Sequence, residues 1–207
     1  PDCTFEEQAT WELPAIDANH TILDYTLKTF AKQPRAKFSY DTLMGTSTRR
    51  SFLTKAFVVS RLIKARIAGK HVGIMLPALQ STSMLVLASY LAGKIPVMFN
   101  WTVGERAMKH CMDVVGVETV LTVKSFFTIV EDQIPKELHN RFVFLDEEIK
   151  TMPLWQKLWG FVRAYTPRLM VHRGRADDTA VILFTSGSEA LPKAVPLTHR
   201  NLLADIG

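Results

Sequence analysis

The sequence has few cysteines and no long apolar run, and both shortages narrow the class of protein. Its 207 residues include only Cys3 and Cys111, too few and too far apart for a disulfide framework, and no Cys/His cluster has the spacing of zinc ligands. We therefore expect reduced thiols and a cytoplasmic location. Apolar runs such as 84–88 are far shorter than the roughly 18 residues of a membrane span. With 47% hydrophobic residues, the chain can still bury a sizeable core.

Acidic residues are absent from two long stretches, residues 49–70 and 150–175. Residues 1–48 hold four Lys and Arg against seven Asp and Glu, a net charge of −3, whereas the rest of the chain carries +8. This basic part predicts a surface for an acidic partner. No helix-turn-helix, zinc-finger or RNA-binding signature accompanies the charge, so we do not predict nucleic acid binding.

Patterns typical of strands and helices alternate along most of the chain. The predicted strands are 72–76, 95–99, 118–122, 141–145 and 181–184, and the predicted helices are 21–32, 49–70, 81–91, 103–115 and 125–132. This alternation predicts an α/β fold: a doubly wound, mostly parallel sheet with helices on both faces. Residues 1–20 have no sustained period, which indicates a lead-in before a domain at 21–207. A short strand is expected at 36–43, and Thr46, Ser47 and Thr48 are candidate helix caps.

A polar loop directly follows the last predicted strand, 181–184, which is apolar enough to be buried on both faces. Its hydroxyl, glycine and lysine residues are Thr185, Ser186, Gly187, Ser188 and Lys193. Hydroxyl and N–H donors beside a fixed cation suit a polyphosphate better than an apolar ligand. Pro192 and Ala194 occupy the positions of the second glycine and of the Mg²⁺-binding hydroxyl of a Walker loop, so a P-loop NTPase is excluded.

The loop resembles the Ser/Thr/Gly-rich loop of the adenylate-forming (AMP-binding) superfamily. The matching residues are Thr185, Ser186, Gly187, Ser188, Pro192, Lys193, Val195, Thr198, His199 and Asn201. Together with Glu189, residues 74–77 and 95–102 are similar to the bacterial acyl-acyl carrier protein synthetase branch, which includes the synthetase part of 2-acylglycerophosphoethanolamine acyltransferase. Alanines 190 and 194 stand where this family has glycines. Because alanine tolerates positive φ poorly, we expect strain of about 1 kcal/mol at each.

This resemblance implies an ATP-dependent ligase that activates a fatty acid as acyl-adenylate and passes it to the thiol of acyl carrier protein. An acyl-CoA synthetase or other adenylating ligase, and a non-catalytic nucleotide- or acyl-binding module, are the alternatives. The implied cofactors are ATP and Mg²⁺. The implied phosphate-binding residues are Thr185, Ser186, Gly187, Ser188, Glu189 and Lys193, with Glu189 placed to help position Mg²⁺ although no residue is assigned as a metal ligand.

The family's adenine-binding segment, acidic ribose-binding residue and C-terminal lysine have no counterparts in residues 1–207. We therefore expect this piece to be the N-terminal part of an adenylation domain, to contain no catalytic residue and not to turn over alone. We expect His199 to be structural rather than catalytic. Thr198 is placed to cap the helix that begins there.

Residues 150–175 combine aromatic side chains with six Lys and Arg on one predicted helix. Three interpretations are open: a helix packed on the sheet with its cations in water, peripheral contact with the inner membrane, and contact with the acidic carrier protein. Residues 49–70 leave a similar choice between a solvated basic face and docking on an anionic protein or lipid surface.

Overall fold

A computed structural model describes residues 17, 19–41, 45–166, 174–185 and 191–206. Its helices are α1 (Ile22–Lys32), α2 (Arg49–Arg66), α3 (Gln80–Leu91), α4 (Glu105–Val115), α5 (Lys124–Val130), α6 (Leu145–Thr151), α7 (Leu154–Tyr165) and α8 (His199–Ile206). Its strands are β1 (Lys37–Asp41), β2 (Gly45–Thr48), β3 (His71–Ile74), β4 (Ile95–Met98), β5 (Val120–Thr122), β6 (Phe142–Phe144), β7 (Thr179–Phe184) and β8 (Ala194–Thr198). The predicted lead-in, residues 1–20, lies almost wholly outside the described residues.

The main sheet has six strands in the order β6-β5-β3-β4-β7-β8, and β1 and β2 form a separate antiparallel pair. Neighbouring strands are parallel from β6 to β7, and β8 alone runs antiparallel, beside β7. The β3-α3-β4 unit has the predicted parallel strands, with Gly73 opposite Val97. The predicted doubly wound, mostly parallel α/β sheet is confirmed.

Two hydrophobic cores lie on opposite faces of this sheet, because successive residues of a strand point to opposite sides. In β3 and the residue after it, Ile74 belongs to the core cluster that includes residues of α1, α2, α3, α6 and α7, whereas Met75 belongs to the cluster that includes residues of α4 and α5. Both side chains are fully buried. The helix that follows β3 therefore covers one face, and the helix that follows β4 covers the other.

Several predicted elements need correction. The single helix predicted for 150–175 is wrong: α6 ends at Thr151 and α7 begins at Leu154, because Pro153 disfavours a helical conformation at Met152, whose backbone is extended. Helix α2 ends at Arg66, earlier than the end of the predicted helix 49–70. Residues 167–173 lie outside the described part of the chain.

Of the hairpin β1–β2, only the first strand was predicted, since residues 46–48 were expected to be helix caps. Thr46 and Ser47 are paired strand residues, and Thr48 is the residue that caps α2, since its hydroxyl accepts from the Ser51 N–H at 3.2 Å. The end of β7 is also less buried than predicted: Ile182 is buried, but Leu183 is 38% exposed.

Candidate functional site at the carboxyl edge of the sheet

The β7–β8 hairpin places the two ends of the predicted phosphate loop side by side. Phe184 pairs with Ala194 at the end of the ladder. Next to that pair, the Thr185 N–H donates to the Lys193 carbonyl oxygen at 3.1 Å, and the Lys193 N–H donates to Thr185 Oγ1 at 3.1 Å. Both residues are exposed. Because Thr185 Oγ1 already accepts from this N–H, its own proton can donate to an anion.

Four of the six predicted phosphate-binding residues, Ser186, Gly187, Ser188 and Glu189, lie outside the described residues. Their roles stay predictions. Of the two alanines at glycine positions, Ala190 is also outside the described part, but Ala194 begins β8 and pairs as a strand residue. Extended backbone suits alanine, so the strain expected at this position is absent.

The end of β4 lies beside the Thr185–Lys193 pair, because β4 is parallel to β7 with Val97 opposite Ile182. The ring of Phe99, just after β4, lies 5.5 Å from the ring of Phe184. Gly73 gives Phe99 this position: a Cβ built on Gly73 would lie 3.1 Å from the Phe99 ring. The two rings therefore pack together at the ends of β4 and β7, and Phe184 is the residue before Thr185 in the chain.

The residues after Phe99 turn the chain sharply at the same edge. Asn100 Oδ1 accepts from the Thr102 N–H at 3.0 Å and from the Thr102 hydroxyl at 2.9 Å, and the Trp101 ring packs on Phe126 at 4.9 Å. From sequence, residues 95–102 contributed only a predicted strand and part of a family resemblance. Phe99 and Asn100 were not predicted as neighbours of the Thr185–Lys193 pair, because their proximity comes from the sheet order and not from any local pattern.

The chain leaves β3 toward one face of the sheet, where α3 packs, and leaves β4 toward the other face, where α4 packs. In open α/β sheets, ligands bind at the carboxyl ends of the strands near such a point of divergence. The Thr185–Lys193 pair follows β7, the strand next to β4. The two described ends of the predicted loop are thus at the edge where the fold favours a ligand.

His199 lies at the opposite, amino edge of the parallel strands. Strand β8 separates it from Lys193, and five strand residues span roughly 16 Å. The His199 ring is buried, accepts from the Ile22 N–H through Nδ1 at 3.3 Å, and packs on Tyr90 at 5.1 Å. Burial lowers the pKa of His199, against the opposing pull of Asp178 and Asp24. A neutral, buried imidazole agrees with the predicted structural role.

Thr198 caps α8 as predicted. The Asn201 N–H donates to Thr198 Oγ1 at 3.1 Å, and the Thr198 N–H donates to Asn201 Oδ1 at 3.0 Å. This reciprocal pair satisfies two backbone donors at the start of the helix. The two matched residues therefore serve helix initiation here.

Two cavities in the described part of the chain are poorer candidates for a nucleotide. One, of about 430 Å³ at the amino edge, contains Lys94 and Asp177 among its lining residues. These charges are engaged internally, since Lys94 Nζ donates to the Ala68 carbonyl at 3.0 Å and Asp177 pairs with Arg200 at 2.7 Å. The Arg200 hydrogen bond lowers the pKa of Asp177.

The second cavity, of about 980 Å³, is acidic. Its charged lining residues are Glu105, Glu131, Asp132, Glu137 and Lys136. Four carboxylates against one ammonium repel a polyphosphate. Neither cavity includes Thr185 or Lys193.

Among the described residues, no group of three or more His, Cys, Asp and Glu side chains is placed to hold a metal ion. Cys111 is buried, and burial raises the pKa of its thiol to about 11, so the thiol is protonated at neutral pH. The helices of the described part are all too short or too polar to cross a membrane.

Comparison with known proteins identifies the family. The family model of the AMP-binding enzyme matches residues 31–207. The chain therefore belongs to the AMP-binding enzyme family, whose members form adenylates.

The chain is also similar to individual proteins and solved structures. Over 130 residues, 59% of the chain, it is 32% identical to the olefin beta-lactone synthetase of Xanthomonas campestris, of which it covers 22%. Its fold is shared with VinN (TM-score 0.71, 17% identity, 91% of this chain and 46% of that one). It is also shared with the fatty acyl-adenylate ligase of L. pneumophila, solved with acyl adenylate and pyrophosphate (TM-score 0.63, 19% identity, 89% and 31%). The chain thus spans less than half of each of these proteins.

Proposed function

We propose that this chain is the N-terminal part of an AMP-forming ligase that activates a fatty acid and transfers the acyl group to acyl carrier protein, with residues 21–207 as part of the adenylation domain. The observation that supports it best is the Thr185–Lys193 pair at the carboxyl edge of the sheet, in a chain of the AMP-binding family. In this proposal the pair would supply a hydroxyl donor and a cation to a ligand at that edge, where open α/β sheets commonly bind one.

In the first step, a carboxylate oxygen of the fatty acid attacks the α-phosphorus of ATP. The bond from that phosphorus to the oxygen bridging the α- and β-phosphates breaks, which gives acyl-adenylate and pyrophosphate. The protein's contribution to phosphoryl chemistry is mainly positioning and charge stabilisation. The Lys193 ammonium and the Thr185 hydroxyl would hold the β- and γ-phosphates and stabilise the departing pyrophosphate.

The neighbouring loop residues complete this proposed site. Hydroxyls of Ser186 and Ser188 and the N–H of Gly187 would donate to the same phosphate oxygens. Mg²⁺, when bound, would neutralise charge on the phosphates, and Glu189 would help to hold it.

In the second step, the thiol of the acceptor attacks the acyl carbonyl carbon, the thiol proton is lost, and AMP leaves. We propose that the acceptor is acyl carrier protein, because residues 49–207 carry a net charge of +8 that would attract an acidic protein. Coenzyme A is also anionic, so the positive charge does not distinguish it from acyl carrier protein. Identification of the product decides whether the protein is instead an acyl-CoA synthetase.

The test is ATP–pyrophosphate exchange by the full-length protein with a fatty acid. Lys193→Ala removes the ammonium, which we expect to lower the exchange rate on the order of 10²-fold, as removal of one donor to developing charge typically does. Lys136→Ala is the matched control, because Lys136 is an exposed lysine of the acidic cavity, whose lining includes neither Thr185 nor Lys193.

Fatty-acid-dependent exchange that is lost in Lys193→Ala and kept in Lys136→Ala supports the proposal. Unchanged exchange in Lys193→Ala refutes the role of Lys193. Exchange that depends on a different carboxylic acid refutes the proposal that the substrate is a fatty acid. Mass spectrometry of products with both thiols present then decides between acyl carrier protein and coenzyme A.

A further inference from the structure

Helix α7 has a stripe of large apolar side chains that face solvent. Its members and their exposed fractions are Leu154 (80%), Trp155 (56%), Leu158 (59%), Phe161 (47%), Val162 (55%) and Tyr165 (53%). These positions recur at intervals of three and four residues, so they form one continuous side of the helix. The opposite side packs on α2 through the small residues Gly160 and Ala164, which are buried. The stripe, defined by these six residues, therefore faces solvent, and Trp155 and Tyr165 at its border also contact arginines of α2.

Cations from the adjacent helix border this stripe. The Arg61 guanidinium lies 4.6 Å from the Trp155 ring, and the Arg50 guanidinium lies 4.1 Å from the Tyr165 ring. Lys64 is exposed one turn beyond Arg61 on α2, and Lys157 lies within α7 three residues after Leu154. Helices α2 and α7, which lie within the two acid-free stretches of the sequence, thus form one surface that is apolar at its centre and cationic at its edges.

Acidic groups nearby do not cancel this charge. The last carboxylate before α7, Glu148, is held by Arg66 at 2.7 Å, at the end of α2. Beyond Glu148 no Asp or Glu occurs until residue 177, and none occurs in α2.

We propose that this α2–α7 surface docks on an anionic lipid bilayer, with the stripe at the level of the headgroups. Amphipathic helices with Trp, Phe and Leu on one side and Lys and Arg beside it bind in the plane of such interfaces. Basic side chains next to them are attracted to anionic lipids. A twelve-residue helix spans only about 18 Å, well short of the roughly 30 Å hydrocarbon core, so α7 lies along the surface and does not cross it.

Two other occupants fit the surface less well. An acidic carrier protein would pair with the cations but would give the six large apolar side chains no apolar environment. A second copy of this chain would cover the apolar stripe but would bring Arg50, Arg61 and Lys64 toward the same cations of its partner, which repel. A bilayer of anionic lipids satisfies both the apolar and the cationic groups.

The test is co-sedimentation of the full-length protein with vesicles, one set of phosphatidylglycerol and phosphatidylcholine in equal parts and one of phosphatidylcholine alone. We expect at least tenfold stronger binding to the anionic vesicles. Leu158→Asp with Phe161→Asp lowers that binding at least tenfold. The control is Ile129→Asp, because Ile129 is 77% exposed on α5, on the other side of the sheet.

A second pair of variants tests the charge. Lys64→Glu with Lys157→Glu reverses the charge of two lysines at the edge of this surface. We expect binding to the anionic vesicles to fall at least tenfold, with little change in binding to vesicles of phosphatidylcholine alone. Lys136→Glu, a reversal far from this surface, should change binding by less than twofold. Circular dichroism of each variant must match the unsubstituted protein.

Several outcomes overturn the proposal. One is equal affinity for the two vesicle types, and another is a loss of binding in Ile129→Asp or Lys136→Glu as large as in the stripe variants. A third is that Lys64→Glu with Lys157→Glu leaves vesicle binding unchanged and weakens carrier-protein binding, and a fourth is that Leu158→Asp with Phe161→Asp changes only the oligomeric state. Vesicle binding is measured without ATP, so its failure leaves the ATP–pyrophosphate exchange, and the proposed function, untouched.

Discussion

Gly160 lies where α7 crosses α2, and Gly160→Ala tests whether this contact sets the position of α7. A Cβ at residue 160 would overlap Val58 Cγ2 and would lie 3.1 Å from the Val58 backbone nitrogen and 3.2 Å from the Thr54 carbonyl oxygen. Two of these neighbours are backbone atoms, and the third belongs to a β-branched side chain that is stiff in a helix. The helices must therefore separate by several tenths of an ångström.

Overpacking of this kind costs about 1–3 kcal/mol. Alanine regains about 0.5–1 kcal/mol over glycine inside a helix. We therefore expect Gly160→Ala to lower the free energy of unfolding by about 1–2 kcal/mol, which corresponds to a fall in Tm of roughly 2–8 °C for a domain of this size.

Urea unfolding followed by tryptophan fluorescence measures this change directly, since Trp155 and Trp159 are on α7. Gly69→Ala is the matched control: no heavy atom of the described chain other than its neighbours lies within 4 Å of a Cβ built there, and its φ is not positive. Adding Val58→Ala to Gly160→Ala should restore part of the loss, with a coupling energy of about 1 kcal/mol. Full stability of Gly160→Ala, or no rescue, would refute the close contact.

Two further predictions concern the start of α8. Thr198→Ala removes the side-chain cap of the Asn201 N–H and should cost about 1 kcal/mol of unfolding free energy, whereas Thr198→Ser should cost much less; urea midpoints compare the two. Burial lowers the pKa of His199 in the folded state, so the unfolded chain binds its proton at a higher pH than the folded chain does. Stability should thus fall as pH drops below about 6.5, the ordinary histidine pKa, and His199→Gln should reduce that fall in a urea series from pH 7.5 to 5.

Most of the central sheet could be predicted from sequence, because its buried strands are apolar and its helices have clear periods and stops. Gly116 is one such stop: α4 ends there with a left-handed backbone, φ 63°. Helix α6 was missed although Asp146, Glu147 and Glu148 fill its first turn, a charge pattern that favours a helix N-terminus. Short helices bury too few residues to show a period.

Strand β8 was missed for a different reason. Pro196 argues against a strand in the middle of a sheet, but among the described strands β8 pairs only with β7, and edge strands tolerate proline. Without β8, the sequence could not show that Thr185 and Lys193 are hydrogen-bonded neighbours. The proximity of Phe99 to Phe184, and of α2 to the stripe on α7, likewise depends on long-range packing that local patterns do not encode.

The most direct measurement is a crystal structure of the full-length protein with a non-hydrolysable ATP analogue. We expect β- or γ-phosphate oxygens within about 3.2 Å of Thr185 Oγ1 and Lys193 Nζ, at the end of the β7–β8 hairpin. A triphosphate bound instead at the amino edge of the sheet, beside Lys94 and His199, would contradict the account.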